Sequence, residues 1–393
     1  MVHFRLLLLT GIPYAIVAMT LLLISLPLPL LSSEFEIPEI YAGFLGGSVF
    51  IGMFLGATFF GVLADRIGRK RSLVLALILL GLSTLICSVT PSWETFILMR
   101  VLTGLGIGGS IPVFFVYLAE FTGLEDRGKT LVLLDSFWAY GWIIASFLGF
   151  MVIPAYGWRS YFLVSSVIIF LTAIPLHFLL RETPLYRKRG RRVKIIESIK
   201  LLWSKTLRRA TASTWIMWFS MVFGCYSFFL WIIGYMRRMG FNLPEAYALN
   251  LLTSFAQIPG YFSAAYLIDK VGRKPTLVSY ALLTALSVFG FSSATSPIGV
   301  TTWLSLVCFF CLGAWGVVMC YTSEPYPTSV RGTGYGFASG FGRIAGIIGP
   351  TIIGFLLQSL ELSGTLSVVS FAFIILAVDM AILGLETKGK ELE

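Results

Sequence analysis

The chain has 393 residues, 57% of them hydrophobic and only 12% charged, with a formal net charge of +10. A soluble domain carries about 25% charged residues and about 45–50% apolar ones, so an ordinary soluble architecture is excluded. The basic excess does not point to nucleic acid either, because the charges fall between long apolar runs instead of forming one basic face.

Runs of roughly 20 apolar residues are long enough to cross a bilayer as helix. In lipid a helix satisfies its own backbone hydrogen bonds. Strands of a membrane barrel would alternate in character every second residue, and these runs are apolar all round. The predicted crossings of the first half are 6–31, 39–64, 72–90, 95–120, 130–154 and 160–181. Those of the second half are 211–236, 245–268, 276–293, 299–323, 333–358 and 365–385. The first run lacks a strong basic leader and a small-residue cleavage site, so it reads as a span and not as a signal peptide. The expected fold class is therefore an all-α integral membrane protein of twelve transmembrane helices.

The placement of Lys and Arg sets an expected orientation. With the first terminus on the cytoplasmic side, Arg5, Arg66, Arg69, Lys70, Arg71, Arg127, Lys129, Lys270, Arg273, Lys274, Arg331, Lys388 and Lys390 share that side, as does the run from Arg181 to Arg209. The far side keeps Arg100, Arg159, Arg237 and Arg238. This asymmetry predicts that both termini are cytoplasmic. The basic stretch RKRGRRVK (187–194) reads as a solvated linker, with contact to anionic lipid as the alternative. Cys308 and Cys311 form a CxxC on an apolar run without nearby His or acid, so no metal or cofactor is expected.

A phrase recurs. Residues 63–70 read LADRIGRK and residues 267–274 read LIDKVGRK. At the same displacement of 204 residues, Gly56 falls on Gly260, Tyr117 on Tyr321, Glu120 on Glu324, Arg127 on Arg331 and Glu182 on Glu386. Such self-similarity means two homologous six-helix halves, here 1–181 and 210–393 with a basic cytoplasmic linker at 182–209. Parallel halves related by an axis along the membrane normal are a transporter plan.

These motifs carry a resemblance. GVLADRIGRK (61–70) resembles the loop between the second and third helices of the major facilitator superfamily. RVLTGLGIGGSIPVFFVYLAE (100–120), RETPLY (181–186) and ETKGKELE (386–393) resemble its sugar-porter-like branches. RGKTLVLLDSFWAYGW (127–142) and RGTGYGFASGFGRIAGIIGP (331–350) resemble the group of nicotinate permeases, synaptic-vesicle-protein-2 relatives and organic-ion carriers. The resemblance covers the whole chain and implies the major facilitator fold: two pseudo-symmetric six-helix bundles, secondary active transport by alternating access, and no enzymatic activity. The implied setting is a multi-pass protein of the cell membrane, monomeric, with a small-molecule substrate, protons and the lipid bilayer as its partners.

Charges at helix ends can hold one face of a carrier shut and release it. Asp65, Arg69, Glu120 and Arg127 stand there in the first half, and Asp269, Arg273, Glu324 and Arg331 in the second. In the family such residues brace the outward-facing state; the alternative is that they fix the loops statically. Gly104, Gly106 and Gly109 match GxGxxG formally, but they lie inside a span without a preceding strand, so close helix packing is the better reading.

Charges near mid-membrane need a reason. Arg343 is the first candidate for substrate binding, because a guanidinium grips a carboxylate through two parallel hydrogen bonds. In the organic-ion carriers this stretch resembles, a basic residue here accompanies anions. A structural arginine paired to its neighbours is the alternative. Asp135 is the candidate for proton coupling as well as substrate contact, since a carboxylate in a low-dielectric cavity binds protons more readily. Arg100 matches the coupling arginine of proton-driven sugar porters, but 6–31 lacks their acidic partner. Asp379 is expected to be peripheral. The aromatic seventh span suits a flat organic body better than a sugar. Trp218 and Tyr226 are expected at the substrate, with Gln257, Trp138 and Trp315 beside them. The expected cargo is a small organic anion such as an aromatic monocarboxylate. A sugar or organic cation on the same fold, or a receptor that transports nothing, are the alternatives.

Overall fold

The computed structural model describes residues 2–122, 127–183, 200–322, 324–327 and 330–388. Most of the expected linker, 184–199, lies outside the described residues, as do the side chains of Asp65 and Arg127. Nine helices among the described residues are long and apolar enough to cross a membrane. In chain order the helices are α1 (Val2–Leu22), α2 (Leu28–Glu34), α3 (Glu39–Ile67), α4 (Arg69–Cys87), α5 (Trp93–Phe121), α6 (Arg127–Leu179) and α7 (Arg208–Phe229). They continue as α8 (Ile232–Arg238), α9 (Leu243–Ser254), α10 (Gln257–Lys270), α11 (Arg273–Ser292), α12 (Pro297–Tyr321), α13 (Arg331–Ser359) and α14 (Leu362–Ile382).

The difference between nine and twelve lies in how three spans are built. At 1.5 Å per residue the 53 residues of α6 would stretch about 80 Å, far beyond one bilayer. It contains two passes, which turn at Gly157 (φ 77°). The Tyr161 hydroxyl then donates to the Ala145 carbonyl of the first arm at 3.1 Å. The seventh crossing is made of two helices, α7 and α8, with a break between them. The eighth is α9 and α10, separated at Phe255 and Ala256. The sequence predicts continuous helices in both places, and also over 6–31, where α1 ends at Leu22 before Pro27 and Pro29. The result is the twelve-span fold.

The two halves repeat in most of their elements. Displaced by 204 residues, α2 falls on α8, α4 on α11, the start of α5 on that of α12, and the second arm of α6 on α14. Their details repeat too. Ser92 caps α5 by accepting from the Thr95 amide, and Ser296 caps α12 by accepting from Gly299. Gly56 brings its helix so close to α5 that a Cβ would stand 2.2 Å from the Leu105 carbonyl oxygen, and Gly260 meets Phe309 at the same 2.2 Å. Without a hydrophobic driving force between helices in lipid, such close backbone approach is a main source of cohesion.

The chain forms two compact units, one of Met1–Gly190 with Leu230–Leu252, the other of Arg191–Phe229 with Thr253–Glu393. Within the first unit, α8 and α9 are held by side chains: Arg238 pairs with Glu39, the Tyr247 hydroxyl donates to the Leu26 carbonyl at 3.1 Å, and the Asn250 amide donates to Ser146 at 3.0 Å. Large apolar side chains such as Phe59, Phe178, Leu171 and Phe355 remain outside. So many exposed large apolar side chains suit a lipid solvent better than water.

Candidate functional site

In the first unit the polar interior centres on Asp135. It lies eight residues into α6, about 12 Å along the helix axis, and is 5% exposed. Its Oδ1 accepts a hydrogen bond from the Tyr14 hydroxyl of α1 at 3.0 Å. The Tyr14 ring packs at 5.5 Å from Trp138 and edge-on against Phe114 and Phe115 of α5. The contact is possible because α1 and α6 touch backbone to backbone: a Cβ on Gly141 would lie 2.1 Å from the Ala15 carbonyl oxygen. Tyr14 is absent from the residues expected from sequence. Its signal was available in the repeat, for 204 residues on stands Trp218.

Arg100, 1% exposed on α5, is not brought to Asp135. Its Nη1 and Nη2 donate to the carbonyls of Thr20 and Leu21 at 3.3 and 3.1 Å. These belong to the last turn of α1, where carbonyls lack intrahelical partners and a cation is favoured. The helix end thus takes the place of the acid that 6–31 does not contain.

In the second unit Trp218, Tyr226 and Trp315 meet. Trp315 of α12 lies 5.8 Å from Trp218 and 5.9 Å from Tyr226 of α7, nearly perpendicular to both. The Trp218 indole N–H donates to the Thr322 hydroxyl at 2.8 Å, which fixes the ring. Tyr335 of α13 completes the wall, 6.0 Å from Trp218. Gly342 also packs on Trp218, and Phe341 stacks on Trp215 at 4.7 Å. Arg343, half-buried, follows directly in the middle of α13. Gln257 stands at the first position of α10, buried. Asp379 is buried as well, its Oδ2 accepting from Ser213 of α7 at 3.0 Å.

The charged loop ends form two copies of one network. In the first unit Arg69 lies 3.5 Å from Glu120 and donates to the Ala64 carbonyl at 2.9 Å. The Glu182 carboxylate accepts from the Arg69 amide at 2.8 Å, and Tyr117 donates to the Arg181 carbonyl at 2.7 Å. In the second unit Arg273 lies 3.2 Å from Glu324 and donates to Ile268 at 3.1 Å. Glu386 accepts from the amides of Arg273 and Lys274, both at 3.1 Å, and Tyr321 accepts from the Leu385 amide. Gly68 (φ 103°) and Gly272 (φ 116°) turn the chain into α4 and α11, in a backbone region that side chains disfavour. Asp269 adds a 3.4 Å contact to Arg273, while Arg331 donates to the Tyr326 carbonyl at 3.2 Å. The copies differ in detail: the Thr387 hydroxyl bonds Glu324, whereas Glu120 Oε2 has no hydrogen-bond partner among the described residues.

The model of the Major Facilitator Superfamily matches residues 8–324 and again 251–392, and the chain belongs to that family. It is 37% identical to the putative niacin/nicotinamide transporter NiaP of Bacillus subtilis, over 98% of this chain and 96% of that one. It is 32% identical to the niacin transporter NiaP of Acinetobacter baylyi, over 100% and 96%. The benzoate transport protein of the same Acinetobacter strain is 26% identical over 91% of this chain and 84% of its own. Among solved structures, that of a D-xylose-proton symporter superposes with a TM-score of 0.83 at 20% identity, covering 99% of both chains. This last likeness is one of fold alone. The chain is a multi-pass membrane transporter and not an enzyme.

Proposed function

We propose that this transporter carries a small aromatic monocarboxylate, nicotinate-like, together with protons across the cell membrane. It works as a monomer with both termini cytoplasmic, by alternating access of the halves 1–181 and 210–393 about the linker 182–209. The observation that carries this reading is the similarity to a niacin/nicotinamide transporter named as putative, a niacin transporter and a benzoate transport protein along nearly the whole chain, combined with an arginine at mid-helix. Arg343 would take the carboxylate by paired hydrogen bonds. Trp218, Tyr226 and Trp315 form an edge-on aromatic wall suited to a flat ring.

Asp135 is the proton carrier in this reading. Tyr14, packed on Trp138, holds it in place, and none of the ion pairs formed among the described residues includes it. Arg100 stabilises the far end of α1, the helix that carries Tyr14. The arginine–glutamate networks at Arg69, Glu120, Arg273 and Glu324, with Asp65, Arg127, Asp269 and Arg331, serve as gates. The Arg69–Glu120 and Arg273–Glu324 pairs are largely buried, so together they weigh on a balance of a few kcal/mol between the two states of a carrier.

Uptake of labelled nicotinate into proteoliposomes, competed by benzoate, by a sugar and by an organic cation, tests the assignment. Competition by benzoate alone supports it. Competition by the sugar or the cation, without benzoate, refutes it.

A further inference from the structure

The eighth crossing departs from the symmetry of the rest. Its counterpart α3 runs unbroken from Glu39 to Ile67, whereas α9 stops at Ser254 and α10 begins at Gln257. The sequence difference is local: Pro259 stands where the first half has Leu55. Proline has no N–H to give the carbonyl four residues back. That carbonyl, of Phe255, is taken instead by the Ile258 amide at 3.3 Å, and the Ala256 amide turns to Thr253 at 3.1 Å. Broken helices at membrane depth are tolerated where the freed backbone is buried in protein or lines a cavity, and in carriers they mark binding sites.

Gln257 sits at this break. It is 1% exposed, and its amide oxygen has no hydrogen-bond partner among the described residues. An unsatisfied buried amide is rare enough to call for a ligand or a water. The two ends of an amide exchange by a half-turn of the side chain, so the unpaired end can donate as well as accept. One turn further along the same face of α10, the Tyr261 ring lies where a Cβ on Gly316 would come within 3.0 Å. Gly316 follows Trp315, which bridges Trp218 and Tyr226. The orphaned amide thus stands one turn from a residue of α10 that packs on α12, the helix that carries Trp315.

We propose that Gln257 is a specificity-determining residue: its amide hydrogen-bonds the ring nitrogen of a heteroaromatic carboxylate and so distinguishes it from an all-carbon ring of equal size. The inference rests on the carboxylate reading above. Nicotinate and benzoate differ at that one ring position, so the pair isolates the contact. A site built to hydrogen-bond a ligand atom penalises the analogue that lacks it, because the protein group is then left unpaired.

Equilibrium binding of labelled nicotinate and labelled benzoate to the purified full chain is the test. The wild type prefers nicotinate by at least about tenfold. Gln257→Met, which places on α10 the residue type found at Met53 in the first half, removes that preference. Gln257→Asn, which keeps the amide but withdraws it by one methylene, gives the same loss in a second background should the methionine variant fold poorly. A preference unchanged in both variants, an equal weakening of both ligands, or a wild type that binds both equally overturns the proposal while leaving the carboxylate reading intact. A wild type that binds neither ligand overturns that reading and this inference with it.

Discussion

Glu386 accepts hydrogen bonds from the backbone amides of Arg273 and Lys274, both at 3.1 Å, and so clamps the chain after α14 onto the start of α11. Burial raises its pKa, but the amides of Lys388, Arg273, Lys274 and Thr387 outweigh it and hold the carboxyl below its ordinary value of 4.5. A group whose folded pKa is depressed adds stability above its unfolded pKa and loses it as pH falls through the folded one. Discounted for partial exposure, the contribution is about 1 kcal/mol. Melting temperatures of wild type and Glu386→Gln should therefore differ by a few degrees at pH 7 and converge as pH drops below about 4.5. A difference that persists undiminished at low pH would mean that the bonds act without the charge.

Gly104 stands where a Cβ would lie 1.9 Å from the Val49 carbonyl oxygen. No side chain can yield there, because the obstacle is backbone. Gly104→Ala should separate α5 from α3 and cost about 1–3 kcal/mol or more. The check is the yield of monodisperse protein in detergent and its melting temperature. Gly61→Ala, with nothing within 4 Å of its Cβ, is the control that should melt like wild type.

Asp135→Asn should lose accumulation driven by an imposed pH gradient while keeping exchange of labelled for unlabelled substrate. The asparagine can still meet the Tyr14 hydroxyl, so the fold of α1 on α6 persists. Proteoliposome flux with and without the gradient separates the two activities. Full gradient-driven accumulation in the variant would move proton coupling to another residue.

Much of the fold was legible because a span announces itself by length and apolarity alone, and a duplication announces itself by its displacement. What escaped were the breaks. Hydropathy carries straight across Phe255 and Ala256, and only Pro259 hints that the helix stops. The turn at Gly157 was visible as a gap between two runs, since Gly, Trp and Arg follow one another there. Of the candidate site, Trp218 and Tyr226 stood out in the aromatic composition of one span, whereas Trp315 lies on another. Tyr14 was not, because a lone tyrosine in an apolar helix looks like packing until its partner is known. The partner of Arg100 was invisible for a different reason: two main-chain carbonyls at a helix end have no signature in side chains.

The central claim is that this carrier moves a carboxylate held by Arg343. Counterflow of labelled nicotinate in proteoliposomes compares wild type with Arg343→Ala and Arg343→Lys at equal protein content. Loss of a charge-assisted, two-pronged contact removes about 1.5–3 kcal/mol, so Arg343→Ala should fall at least about tenfold, with Arg343→Lys in between and both variants monodisperse. Counterflow in Arg343→Ala equal to wild type would contradict the account.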